Sequence, residues 1–202
     1  MPIESFERTG RVDAVLVGGN EVASLARRKI ELHVGHGIRG DRHFGPRLSD
    51  VRDGDLFRFG LPKGIGTAGI REVSIVSTEE LAVIAVELGL SGPIPPGTIG
   101  ENVLVSGIPN LTRLPPGTKL FFRNPNGKPR TAVVAVWAPN VPCVIAGASV
   151  RDAFPNDPTI PVRFAKAANG RRGLVGFVFV SGVVEAGDEV TAITPKQDLY
   201  QP

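Results

Sequence analysis

Hydrophobic and polar positions alternate with period two through residues 27–34, RRKIELHV. Ile30, Leu32 and Val34 fall on one face, and Lys29, Glu31 and His33 on the other. That alternation predicts a half-buried strand. Short apolar-rich runs at 10–18, 71–76, 117–123, 130–137, 173–181 and 188–193 read as further strands, and 97–107, GTIGENVLVSG, reads as a glycine loop running into another. NPNGK joins the 117–123 and 130–137 strands as a hairpin turn, with Asn126-Gly127 supplying the positive φ such turns need. VVEAGD reads as the link between the last two strands.

Helical spacing stands out in STEELAVIAVELGL, 77–90. Leu81, Ile84, Ala85 and Leu88 share a face, Ser77 and Glu80 form a capping box, and Gly89 is the stop. Two shorter helices are predicted in APNVPCVIAGASVRDAF, which opens from a turn, and in DPTIPVRFAKAANG, which stops at Gly170. Residues 46–69 show no periodicity and carry Pro46, Pro62 and several glycines. They read as a long loop, and long loops in compact domains are often functional. Eight or nine strands with three short helices predict a mostly β, closed or partly closed barrel.

Composition narrows the picture without changing it. The 202 residues suit a single domain, 1–202, with its core at about 10–193, and 42% are hydrophobic and 21% charged. A net charge of +3 with no run of five or more Lys/Arg permits an anionic ligand but gives no reason to expect nucleic acid. One cysteine, Cys143, allows neither an intramolecular disulfide nor a multi-cysteine zinc site, and fits a reducing compartment. MPIESFERTG has no apolar core, and no stretch approaches the ~18 apolar residues of a membrane span, so a cytoplasmic protein is expected.

Candidate chemistry begins with HVGHGIRGDRHFG, 33–45, which holds all three histidines. His33 and His36 are three apart, and in a strand such residues face opposite ways. A zinc site there would have to draw on His36, His43 and Asp41. GIRGDRHFG has a different character. Gly37, Gly40 and Gly45 free the backbone, Arg39 and Arg42 bring bidentate donors, and Asp41 can fix either arginine or its own turn. The segment reads equally as an anion cradle or as a charged surface turn. In Asn140-Val141-Pro142-Cys143, Asn140 reads as an N-cap and Pro142 as a first-turn residue. Cys143 then lies where free N–H groups favour a thiolate, as a nucleophile, sulfur acceptor or soft-metal ligand. Its alternative is a buried, inert cysteine. Arg171 and Arg172 in GRRG are a second anion clamp or helix-terminal cations. Glu101 and Asn102 in GEN orient a polar ligand or close a turn. No P-loop and no hydrolase triad order is present.

GIRGDRHFG, REVSIVSTEEL, GTIGENVLVSG, the lone cysteine in a VPC context, GRRG and SGVVEAGDEV follow one another in an order that resembles the MOSC domain, the module at the C-terminus of molybdenum cofactor sulfurases. The resemblance spans roughly residues 10 to 193. It implies a barrel-like fold that binds the molybdenum–pterin cofactor. The family's cysteine corresponds to Cys143, which ligates molybdenum in amidoxime-reducing relatives and is proposed to carry sulfur in sulfurase-type members. The GDRH segment maps to Gly40, Asp41, Arg42 and His43, and the GEN segment to Gly100, Glu101 and Asn102. Arg39, Arg42, Arg171 and Arg172 are the donors expected to hold the cofactor's phosphate, with His43 the histidine nearest the ligand. No pyridoxal-phosphate desulfurase domain and no additional N-terminal barrel is seen in the 202 residues, so the likeness is to the stand-alone bacterial type. The implied activity is reduction of N-hydroxylated substrates with electrons from a partner. The implied alternatives are a carrier that delivers the cofactor, or a Cys143 persulfide, to an apo-molybdoenzyme, and a fold that binds small anions without the cofactor. Neither nucleic acid nor membrane is an expected partner.

Overall fold

The protein is described by a computed structural model covering residues 4–19, 21–50, 53–126 and 131–198. Its spine is β1 (Phe6–Gly18), followed by β2 (Ser24–Arg27), β3 (Lys29–His33), β4 (Gly37–Ile38) and β5 (Arg47–Leu48). After α1 (Gly54–Arg58) come β6 (Gly66–Thr67), β7 (Val73–Ser77), α2 (Thr78–Leu88), β8 (Val103–Ser106) and a 3₁₀ turn at Leu111–Arg113. The chain continues through β9 (Lys119–Arg123), β10 (Ala132–Pro139), α3 (Val144–Ala153), α4 (Ile160–Ala167), β11 (Leu174–Val180), β12 (Gly182–Glu185) and β13 (Glu189–Thr194).

The strand order β13-β9-β10-β11-β7-β8-β1 closes on itself, because β13 also pairs with β1, giving a seven-strand barrel. The expected mostly β barrel is what forms. β1 spans it: residues 6–11 pair with β13, 11–15 with β8 and 15–18 with β2. A bulge between Val12 and Ala14 re-aims Asp13 outward, where its carboxylate accepts from the Thr78 and Ser106 hydroxyls. β7 and β8 run parallel, which requires a crossover, and α2 supplies it.

Two apolar clusters result. Val12, Ile75, Leu120, Phe122, Val134 and their neighbours fill the barrel. Leu81, Ile84 and Leu88 of α2 pack with Val150 and Phe164 of α3 and α4 on its outside. α2 follows its sequence pattern closely. The Ser77 hydroxyl accepts from Glu80 N, and Gly89 ends the helix at φ 68°. α3 and α4 approach so tightly that a Cβ on Gly147 would stand 2.8 Å from Pro161 and from Phe164. No helix of the described residues is long and apolar enough to cross a membrane.

Several expectations need correction. Among the described residues there are four short helices, not three. The 46–69 segment is not a bare loop, because β5 pairs with β6 and encloses α1, which buries none of its residues. VVEAGD is not merely a link: Gly182–Glu185 is β12, the partner of β3 in a small sheet with β4. A three-residue link and a strand that short give no periodicity to read. Ile30 and Leu32 are buried as the alternation predicts, but β3 ends at His33 and Val34 is 53% exposed. The turn at Asn126-Gly127 lies partly outside the described residues.

Replacing Gly147 with valine overpacks the α3–α4 contact. The expected loss is about 1–3 kcal/mol, read as a lower denaturation midpoint at unchanged slope in urea unfolding.

Candidate functional site

A polar cleft of about 380 Å³ opens where the chain enters β7 and β8, walled also by Asn140 just beyond β10 and by Val175 of β11. Its floor is the turn after β4. Gly40 takes φ 81°, allowing that turn, and Asp41 goes inward and is buried. The Asp41 carboxylate accepts from Gly18 N at 2.7 Å, from Asn102 Nδ2 at 2.9 Å and from His43 N at 2.9 Å. Of the two roles open to Asp41, fixing its own turn is the one realised. Asn102 completes the stitch. Its Oδ1 accepts from Ser74 N at 3.0 Å, while its backbone bonds both Ser74 and Leu16.

The expected arginine cradle is not assembled. Arg39 leaves the cleft for a neighbouring groove, where its Nε lies 3.3 Å from Glu31 and 3.4 Å from His33 Nε2. Arg42 lines the cleft, but its guanidinium donates to the carbonyls of Gly19, Glu21 and Val22. It ties down the chain after β1 instead of waiting for an anion. His43 is exposed and lines the cleft. His33 and His36 pack against the Phe44 ring at centroid distances of 5.7 and 5.9 Å. Among the described residues no three His, Cys, Asp or Glu side chains converge to hold a metal ion.

Arg171 and Arg172 part company. Arg171 pairs with Glu87 of α2 at 2.6 Å, on a different face. Arg172 is buried and donates through Nη2 to the Ile99 carbonyl, while its Nε and Nη1 have no partner. Burial pushes its pKa down, opposed by the neighbouring Glu101 carboxyl and Cys143 thiol, but a guanidinium stays protonated through such a shift. Glu101 is fully buried and accepts from Gly97 N at 2.6 Å, closing its own turn. Burial raises its carboxyl above the usual range, and its Oε2 is also unpartnered.

Cys143 is exposed, so the buried, inert alternative is excluded. It is itself the N-cap of α3, and the helix begins at Val144. Asn140 is therefore not the cap. The Asn140 backbone instead bonds Gly173 O, and its side chain lines the cleft, accepting from Arg71 Nη2 at 3.2 Å. Cys143 stands three residues beyond this rim. The sequence reading missed Arg71, Glu72, Arg47 and Asn140 as cleft residues. The adjacent charges opening the REVSIV strand were the available signal. Arg47 makes a bidentate pair with Asp53, at 3.1 and 2.9 Å, and that hydrogen bonding holds the Asp53 carboxyl below the usual range.

The site is thus a polar cleft on a closed barrel, with an exposed cysteine at the N-cap position of α3 three residues beyond its rim. The MOSC domain family profile matches residues 39–191, and the chain belongs to that family. It is 34% identical over 154 residues to the YuaD protein of Bacillus subtilis (strain 168), covering 76% of this chain and 74% of that one. The name of that relative assigns it provisionally to metal–sulfur cluster biosynthesis. The crystal structure of B. subtilis YuaD superposes with a TM-score of 0.82 at 29% identity, over 98% of this chain and 100% of that one. YiiM from Geobacillus stearothermophilus shares the fold, with a TM-score of 0.56 at 14% identity over 95% and 75% of the two chains.

Two outcomes test the site's construction. Asp41→Ala leaves its donors without an acceptor and is expected to cost about 3 kcal/mol in denaturant unfolding. The raised carboxyl of Glu101 supports the fold fully below the ordinary value of 4.5, and that support is lost as pH rises through its raised pKa. Glu101→Gln, always neutral, is therefore expected to gain stability relative to the parent as pH rises above 4.5, measured by unfolding at each pH.

Proposed function

We propose that the protein binds the molybdenum cofactor in the polar cleft, with the Cys143 thiolate as metal ligand, and reduces N-hydroxylated substrates there. The observation that carries this reading is the adjoining of a polar cleft and an exposed cysteine through one short rim, Asn140 to Cys143. The residues fit the group in kind. A thiolate is a soft ligand suited to molybdenum. The cleft volume is within the range of small-cofactor sites, roughly 300–1,000 Å³. Arg71 and Asn140 offer donors on its wall. The buried Arg172 guanidinium, two of whose nitrogens have no partner, lies in electrostatic range of Cys143. When bound, the cofactor would supply two-electron transfer at the metal. The protein's residues orient the substrate, stabilise charge and deliver protons.

A second reading rests on the exposure of Cys143. A thiol open to solvent at a helix N-terminus suits handing sulfur to another protein as a persulfide, and the relative YuaD is named for a provisional role in metal–sulfur cluster biosynthesis. The partner would be an electron donor on the first reading and an apo-enzyme on the second.

Protein from a cofactor-producing host, measured for molybdenum and for pterin fluorescence after acid oxidation, decides between them. Molybdenum is expected in the parent and lost in Cys143→Ala, alongside turnover of an N-hydroxylated substrate. Cyanide-labile sulfur on Cys143 without molybdenum or pterin would overturn this in favour of the sulfur carrier.

A further inference from the structure

Glu72 stands just before β7, half-buried on the cleft wall, in a stretch that neither the anion-cradle nor the cysteine reading uses. Its two oxygens are in different situations. Oε2 accepts from Val178 N of β11 at 2.9 Å, which fixes the carboxyl's orientation. Among the described residues no hydrogen bond to Oε1 is seen, and it lies against Gly69, itself a cleft residue, where a side chain would collide with it. Gly37 on the other side leaves only enough room for the Glu72 stem, a Cβ there standing 3.3 Å from Glu72 Cβ. Two glycines and a backbone amide thus hold one carboxyl oxygen inward and leave the other to the cleft.

We propose that Glu72 is the proton donor of the cleft, giving the proton on Oε1 to the oxygen that leaves an N-hydroxylated substrate. This rests on the reductase reading above. The oxygen pinned by an N–H is an acceptor, so in the neutral acid the proton belongs on Oε1. Among the described residues no ion pair to the Glu72 carboxyl is seen. His36 is the charge that acts on it. Arg71 is engaged with Asn140, Arg42 with backbone carbonyls and Arg47 with Asp53. Asp41, His43 and Asp50 complete the titratable lining, and β11 meets Glu72 through a backbone amide. Burial raises the pKa of Glu72 and outweighs these favourable contacts.

The step balances as R–NH–OH plus two electrons and two protons giving R–NH₂ and water. The N–O bond breaks and nitrogen is reduced by electrons from an external donor, reduced methyl viologen in the assay. The Glu72 proton goes to the departing oxygen, which leaves as water. The electron pair on nitrogen takes its proton from solvent, and solvent reprotonates Glu72.

Two measurements test the assignment. Carboxyl titration of glutamate-labelled protein by ¹³C NMR, with Glu72→Gln to identify the signal, is expected to place Glu72 above 4.5. An ordinary or lower value would overturn the proposal. Cofactor-loaded parent, Glu72→Gln and Glu72→Asp are then assayed with benzamidoxime and reduced methyl viologen across pH. Glu72→Gln is expected to lose about a hundredfold to ten-thousandfold in kcat with KM and pterin content little changed. It should also lose the alkaline limb that deprotonation of Glu72 imposes, and Glu72→Asp should restore part of both. Unchanged kcat and pH profile in Glu72→Gln would sink the donor role alone. A pterin-loaded parent that turns nothing over would sink the reductase reading, and the donor role with it.

Discussion

A buried carboxylate organises the functional end of this barrel. Asp41 receives N–H groups from the end of β1, from the turn that contains Asp41 itself, and from Asn102 just ahead of β8. Each of those donors would be orphaned without it, and a buried unpaired donor is expensive. The turn after β4 is therefore fixed against the strands before the cleft acquires any ligand. Asn102 carries the same constraint to β7 through Ser74, and Asn140 carries it from Ser74 and Gly173 to the rim leading to Cys143. The network contains few charges free to move, which gives the cleft a defined shape.

That economy explains why so many arginines near the site are structural. Arg42 spends its guanidinium on three carbonyls of the chain following β1, and Arg47 spends its own on Asp53 inside the 46–69 insertion. A planar fork with five donors suits irregular backbone that no strand can satisfy. Sequence shows where arginines are dense, but not which carbonyls will be left over by the folded chain.

Much of the barrel was legible. The alternation at Ile30 and Leu32 and the spacing of Leu81, Ile84 and Leu88 are periodic signals, and they survive into buried faces. What escaped were pieces too short to have a period: the β5–β6 pair, α1 and β12. At the site, Asp41, Arg42, His43 and Asn102, expected from the sequence to hold a ligand, do line the cleft, because a glycine-flanked charged turn must be placed somewhere specific. Arg39 and Arg171 were not brought there. Each found an acid elsewhere: Arg39 pairs with Glu31 on the neighbouring strand β3, and Arg171 with Glu87 on α2, far away in sequence. Arg71 and Glu72 escaped for the opposite reason, since a charged pair opening a strand usually marks solvent.

The meeting of β1 and β13 has a consequence for how the molecule comes into being. Phe6 is paired with Thr194, so the first and last strands of the barrel share one ladder. During synthesis the β13-facing edge of β1 stays open until Thr194 has left the ribosome. The ring cannot close early, and closing it bears a loop-closure entropy set by the long separation of Phe6 from Thr194. Until then an unpaired edge is available to other chains. The exposed charges of Glu7, Arg8 and Arg11 along that edge are well placed to keep it solvated while it waits.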